Sequence, residues 1–404
     1  MNPPDPPSGT VPPPGFLAEP APAAVLAALP GARAVGGCVR DALAGREVHD
    51  VDVAAPLPPE EIAARLRQAG LKVVETGLSH GTVTAVLARQ PVEVTSLRRD
   101  VATDGRHAEV AWTTDWREDA ARRDFTINAM SLDAGGRLWD YFGGREDLAA
   151  GRVRFVGDPA TRLREDYLRA LRFFRFQARY GRGEPDPAAM RAIREAVPGL
   201  ARLSAERVWM ELKRLLEAPD PSDAVAQMAE TGVLGAVLPE ARELPALRRL
   251  VALGAPADPL LRLAALLAPE VDGPALAARL RFSGEEAARL GALRGAAPDP
   301  AADGDDLRRL LAEQPGDQLV MLAWLAEARG LPGDWAGFRA RAAGCPRLVL
   351  PVQGRDVLAL GVPPGPRVGR LLAAVRAWWK AGGCRAGHAE CLERLRELAA
   401  AGPV

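Results

Sequence analysis

Arg122-Arg123-Asp124-Phe125-Thr126-Ile127-Asn128-Ala129-Met130 decides how this chain is read. Two adjacent guanidiniums, a carboxylate and an amide crowd a segment whose other side chains are mostly apolar. Burial alone does not select four strong polar groups, because each demands a partner once desolvated. By itself the segment also reads as an ion-pair cluster at a helix start. Upstream, Gly36-Gly37-Cys38-Val39-Arg40-Asp41 and Asp50-Val51-Asp52 add two further polar motifs in a fixed order.

The apolar run over 32–35 enters Gly36-Gly37, where backbone turns tightly and lets a ligand approach. A helix over 39–44 would aim its free N–H groups at any anion the glycines admit. Gly-Gly before a helix also marks a plain turn. Residues 50–54 alternate as a strand, which puts Asp50 and Asp52 on one face. Carboxylates that close repel, and a divalent cation relieves the repulsion. A solvated acidic edge is the plain alternative. Residues 92–96 alternate again and set Glu93 on one face of an antiparallel neighbour. Beside Asp50 and Asp52 it would complete three carboxylates, as two-metal phosphoryl transfer requires. Otherwise Glu93 is an ordinary solvent-facing strand residue.

At 404 residues the chain exceeds one ordinary core, so several domains are expected. Its four cysteines show no disulfide framework, which fits a reducing cytosol. Cys384, His388 and Cys391 are spaced faintly like metal ligands, but without a second pair they read as a helical surface. Zero net charge argues against indiscriminate nucleic-acid binding and leaves room for a local basic groove. The N-terminal residues lack the pattern of a signal peptide, and no apolar run is long enough to span a bilayer. The expectation is a cytoplasmic protein with no membrane partner.

Along the chain, residues 1–15 read as a disordered, Pro-rich leader. Helical periodicity covers 20–30 and 58–69, with strands at 72–75 and after a turn at 78–81. Residues 100–116 are polar and read as a loop. Past about 150 the strand-like alternation disappears. The pattern predicts an α/β head, a mixed sheet with flanking helices, followed by an all-α remainder. In a helix over 165–176, Asp166 and Arg169 stand three apart, nearly on one face. They form either a helical ion pair worth a few tenths of a kcal/mol or a donor and acceptor for a nucleobase edge. Arg172 lies farther round and Arg175 on the opposite side. Ser204 is the expected N-cap of a later helix, in which Arg207 and Glu211 are four apart and can pair.

In this order and spacing the motifs resemble the class II tRNA nucleotidyltransferase family, which includes CCA-adding enzymes and bacterial poly(A) polymerases. The resemblance runs from about Val35 to the last helix. It is carried by Gly36-Gly37-x-Val39-Arg40-Asp41, Asp50-x-Asp52, Arg122-Arg123-Asp124-Phe125-Thr126-Ile127-Asn128-Ala129, Glu165-Asp166-x-x-Arg169 and Glu206-Arg207-Val208. It implies a nucleotidyltransferase head over 16–150, a helical neck for base recognition over 151–217, a body over 218–295 and a tRNA-binding tail over 296–404.

The resemblance further implies Asp50 and Asp52 as magnesium ligands, with Glu93 the third catalytic carboxylate. It implies Gly37, Arg40 and Arg123 around the triphosphate, and Asp166 with Arg169 as the pair that reads CTP and ATP. Arg172 and Arg175 match further nucleotide-binding positions, although the helical wheel brings Arg175 in only if the helix bends or the side chain reaches round. The RNA partner would be the acceptor and T-arm half of tRNA. Family members that add only CC lack much of the loop between the third carboxylate and the double arginine. Residues 100–116 fill that place, and no strongly basic extension closes the sequence. CCA addition is therefore expected. A-only addition, then CC addition or poly(A) synthesis, are the other enzymatic readings, and an inactive RNA-binding head is the non-enzymatic one. Intact Asp50, Asp52 and Arg123 oppose the last.

Overall fold

Short alternating runs pair into strands throughout the first part of the computed structural model, which describes residues 5–77, 81–103 and 108–401. Most of the turn expected at 78–81 lies outside those residues. In chain order the strands are β1 (Gly9–Thr10), β2 (Arg33–Val35), β3 (Asp52–Ala55), β4 (Lys72–Gly77), β5 (Thr82–Leu87), β6 (Gln90–Ser96), β7 (Arg98–Thr103), β8 (Ala108–Trp112), β9 (Met130–Leu132) and β10 (Arg137–Asp140). Eight of them form one sheet in the order β1-β10-β9-β2-β3-β6-β5-β4. The sheet is mixed, as expected. β2 runs antiparallel to β3 and β9, whereas β3 and β6 are parallel, with Asp52 in register with Glu93. The antiparallel neighbour of β6 is β5, so Glu93 reaches Asp52 across a parallel pair instead.

Helices α1 (Pro20–Ala28), α2 (Gly37–Leu43) and α3 (Pro59–Gln68) flank the sheet. Val25, Val39, Ile62 and Leu66 share one apolar cluster with Val53, Val83 and Val94 from the strands. Burying such side chains stabilises by about 1.5–3 kcal/mol each, enough to fix which face of β3 and β6 turns inward. Asp52 and Glu93 therefore emerge on the opposite, wetter face.

Two expectations are corrected here. The Pro-rich leader is tied down from Asp5 onward: β1 pairs with β10, and Trp139 Nε1 donates to the Asp5 carbonyl at 2.8 Å. Proline is admissible beside an edge strand, so composition alone did not forbid the pairing. The polar stretch 100–116 is no loop, because β7 and β8 pair as a hairpin and α4 (Trp116–Ala121) follows. Its tip, 104–107, lies outside the described residues. Polar composition reports exposure, and a backbone ladder needs no apolar pattern.

After α5 (Gly144–Ala150) the described chain continues in helices. These are α6 (Pro159–Glu165), α7 (Leu168–Tyr180), α8 (Pro187–Ala196), α9 (Ala205–Leu216), α10 (Ser222–Glu230) and α11 (Val233–Val237). Ser204 caps α9 by accepting from the Arg207 N–H, as expected. Phe125 after the double arginine and Phe155 pack with Phe173 and Phe176 of α7, centroids 5.0–6.2 Å apart. The chain divides into two compact units, Met1–Pro239 and Glu240–Val404. This boundary falls inside the segment expected as a body, because α10 packs on α7 and α11 on the turn Val197–Arg202. Helical periodicity shows which face is apolar, not which helix covers it.

The second unit contains ten helices among the described residues, α12 (Leu244–Ala252) to α21 (His388–Ala400). Trp335 and Phe338 pack with Leu319 and Ala323 in one apolar cluster. Cys384 and Cys391 belong to another, with Leu371, Val375 and Trp379. The expected helical surface at these cysteines is instead core, where a thiol behaves as a small apolar group.

Candidate active site

The polar groups of the double-arginine motif find their partners within the first unit, some one turn away and some on other elements. Arg122 Nε and Arg123 Nη2 both donate to the buried Asp119, at 2.9 and 3.3 Å. Asn128 accepts from Arg40 Nη1 at 2.6 Å and donates through Nδ2 to Asp124 at 2.9 Å. The other oxygen of Asp124 accepts Arg172 Nε from α7 at 2.8 Å. Burial works against the Asp124 anion, but Arg172, Asn128 and the Phe125 N–H outweigh it and hold the carboxyl below its usual range. The same balance holds Asp119 low through Arg123 and Arg122.

Glycine lets this cluster close. Gly36 adopts φ +72°, and a Cβ there would stand 2.9 Å from Arg123 Nη1. Gly37 begins α2, with the space for its missing side chain 3.5 Å from Arg40 Nη2. Arg40 is nearly buried and already bidentate to Asp41, at 3.1 and 2.8 Å.

Around these groups opens a cleft of about 710 Å³, lined by nine arginines and six carboxylates. The excess of guanidinium makes it attractive to a polyanion. Gly37, Arg40, Asp50, Asp52, Arg123, Asp166, Arg169, Arg172 and Arg175 all line it, so nearly every residue expected at the site converges. Glu93 does not line it, but it is exposed beside Asp52 as its register partner.

The expected alternating strand begins only at Asp52, and Asp50 lies in the approach to β3. Burial, then repulsion from Glu93, lifts the Asp52 carboxyl above its usual range; Asp50 adds to this and Arg123 opposes it. A cation would relieve that repulsion. Among the described residues, no three His, Cys, Asp or Glu side chains already converge on one point. Carboxylate oxygens such as those of Asp50 and Asp52 are the ligands that hard divalent ions take. The donor set fits a hard divalent ion.

At the opposite pole the helical-wheel reading is corrected. α6 ends at Glu165, Asp166 is extended with φ −155°, and α7 starts at Leu168. Asp166, one residue before the N-cap Tyr167, accepts from the Leu168 N–H at 3.0 Å. Asp166 and Arg169 share the cleft without forming an ion pair, because Arg169 turns to Glu165 and to the Arg162 carbonyl. Arg207 donates to Asp166 at 2.7 Å, a partner that its helical spacing did not predict.

Glu211 is buried and faces α7 instead, 2.8 Å from Arg175 Nε and 3.5 Å from Arg172 Nη1. The Arg175 contact is an ion pair without hydrogen-bond alignment. Burial lowers the Arg175 guanidinium to about 10, with Glu211 opposing and Arg172 and Arg214 adding to the fall. Its inward position answers the helical-wheel objection, since α7 starts after a break and turns this residue toward the cleft.

A model of the "Poly A polymerase head domain" matches residues 32–154, and one of the "Probable RNA and SrmB-binding site of polymerase A" matches 184–244. The mitochondrial CCA tRNA nucleotidyltransferase 1 of Danio rerio is 37% identical over 384 residues, covering 90% of this chain and 87% of that protein. The chain belongs to the CCA-adding tRNA nucleotidyltransferase family. A CCA-adding enzyme of Bacillus licheniformis is 40% identical over 215 residues, 53% of this chain and 51% of that one. The crystal structure of the Bacillus stearothermophilus CCA-adding enzyme in complex with CTP superposes with a TM-score of 0.75 at 27% identity, over 95% and 98% of the two chains.

Nucleotidyl transfer in this family is typically metal-dependent. No described helix of this family member is long and apolar enough to cross a membrane. The Danio rerio relative is mitochondrial, so these likenesses give no support to a cytoplasmic location. Reading the residues one by one missed Asp119, Asn128 and Arg207 as partners of the site. The signal for Asn128 was its seat in the double-arginine motif, where a buried amide needs both a donor and an acceptor.

Proposed function

We propose that this member of the CCA-adding family builds or repairs the 3′-terminal CCA of tRNA from CTP and ATP, without a nucleic-acid template. One observation carries the proposal: Asp50 and Asp52, a cluster of arginines, and Asp166 with Arg169 line a single cleft. Asp50 and Asp52, with Glu93 beside them, are the groups that would hold magnesium, which when bound activates the attacking hydroxyl and offsets phosphate charge.

Arg40 and Arg123 offer permanently charged forks to the triphosphate, beside the backbone N–H groups that open α2 at Gly37. Arg172 and Arg175 add positive charge from α7. Asp166 accepts and Arg169 donates at the base edge, a pattern that suits C and A. The ribose 3′-OH attacks the α-phosphorus in line, its bond to the bridging oxygen breaks, and pyrophosphate leaves.

In this reading the head (16–150) performs transfer and the neck (151–217) reads the base. The tail (296–404) holds tRNA, and the helical body (218–295) precedes it in the chain. A reducing, cytoplasmic setting accords with free thiols at Cys38, Cys345, Cys384 and Cys391, and cell fractionation would test it. The β7–β8 hairpin fills the place of the loop that CC-only relatives lack, which favours A addition after CC; A-only addition is the second reading. Incubation with magnesium, labelled CTP or ATP and tRNAs ending before CCA, after C or after CC separates them. Stepwise CCA extension is the expected result. Incorporation of A alone supports the second reading, and no incorporation of either nucleotide refutes both.

A further inference from the structure

At the end of α7 the neck grips the arginine that the proposed function assigns to the triphosphate. The Tyr180 hydroxyl donates to Asp41 Oδ1. That carboxylate also takes Arg40 through Nε and Nη2, and Asn128 takes Nη1. A guanidinium has five N–H bonds. Three are committed, which leaves one on each terminal nitrogen, and Nη2 stands next to Gly37 on the cleft wall. The Tyr180 ring lies under the same charge, its centroid 4.5 Å from Arg40 Cζ and 4.7 Å from Arg46 Cζ. Arg46 donates in turn to the Arg179 carbonyl at 2.6 Å, fixing the last turn of α7 against the segment after α2. A hollow of about 150 Å³ opens beside these groups.

We infer that Tyr180 and Asp41 are positioning residues for Arg40. Asp41 occupies one edge of its guanidinium and Tyr180 holds that carboxylate in place, so that the two remaining N–H groups meet the phosphate chain. The inference rests on the reading of Arg40 given above. CTP and ATP share that chain, and pyrophosphate reproduces part of it. Loss of the Tyr180 hydroxyl therefore acts on all three alike and leaves base choice alone. A residue that merely packs would show no such pattern. Tyr180→Phe keeps the ring over Arg40 and Arg46. Asp41→Asn keeps the shape but turns one acceptor into a donor facing a donor.

The test measures dissociation constants for CTP and ATP, the inhibition constant for pyrophosphate, KM for tRNA and the melting temperature. The proteins compared are the full-length chain, Tyr180→Phe, Asp41→Asn and Arg40→Lys. Tyr180→Phe and Asp41→Asn are expected to weaken all three phosphate ligands by a common factor of about three- to tenfold, the range for one lost hydrogen bond. Their KM for tRNA and preference for C and A should not change. If Arg40→Lys weakens those ligands and Tyr180→Phe does not, the positioning role is wrong. Neutral Arg40→Lys removes the triphosphate assignment of Arg40, and this inference with it. A Tyr180→Phe protein that melts lower and loses tRNA and nucleotide equally shows a structural role only and also overturns it.

Discussion

Arg207 Nη2 donates to Asp166 Oδ2 at 2.7 Å, so the carboxylate proposed to read the base is held by a helix 41 residues farther along the chain. The Leu168 N–H holds its other oxygen at 3.0 Å. Asp166→Ala is expected to lower efficiency with CTP and ATP by about ten- to hundredfold, the cost of about 1.5–3 kcal/mol for a charged hydrogen bond. Arg207→Ala should relax the choice of C and A over U and G while triphosphate affinity holds. Incorporation of all four nucleotides by each variant checks this. Unchanged selectivity in both variants removes Asp166 from base reading.

Asp52→Asn separates activity from stability. The folded carboxyl lies above its usual range through burial and then Glu93, so its ionisation opposes folding. That stability is present at low pH and lost as pH rises through the folded value. At neutral pH without metal, the amide should melt at the wild-type temperature or higher. Turnover should vanish in Asp52→Asn and in Asp50→Ala, with tRNA affinity kept. Appreciable incorporation by either variant counts against the metal site.

Asp124 works with the opposite sign. Burial penalises its charge, yet Arg172 and Asn128 keep the carboxyl low, as Arg123 and Arg122 do for the buried Asp119. The stability these groups contribute is present above the unfolded aspartate value, near 3.9, and is lost as pH falls through their lower folded values. Denaturation midpoints taken from about pH 4 downward, below the unfolded aspartate value, should fall less steeply in Asp124→Asn than in wild type. Identical slopes would argue that the pair carries no linkage.

Arg172→Ala leaves the buried Asp124 carboxylate without its cation, a loss of about 3–5 kcal/mol that urea denaturation should read. Asp124→Ala should cost less, because the partly exposed Arg172 keeps Glu211 beside it, and the double variant should lose less than the sum of the two. Additive losses would mean the two groups are energetically independent.

The β7–β8 hairpin bears on the product. Shortening it to a tight turn should leave addition of CC intact and abolish the terminal A, read on a gel with tRNA ending before CCA. Full CCA extension by the shortened protein would detach the hairpin from A addition.

Local order was legible without any structure. Apolar alternation before residue 150 and helical periodicity after it describe the α/β head and the helices beyond, since each period reports which face meets a core. The motif segments were legible as well. Desolvation singled out the polar groups around Arg123, alternation set Asp50 and Asp52 on one face, and the resemblance joined these with Asp166 in one site. Partnership was not legible. Asp166 could have met Arg169 on a helix, and the Glu165–Leu168 break gave it to Arg207. Glu211 could have met Arg207 one turn away, and the packing of α9 on α7 gave it to Arg172 and Arg175. Likewise only the parallel register of β3 and β6 sets Glu93 beside Asp52. Sequence thus determined which groups must find a partner, because desolvation acts on each residue. Tertiary structure decided which partner, because several guanidiniums satisfy a carboxylate equally and backbone breaks and helix packing select among them.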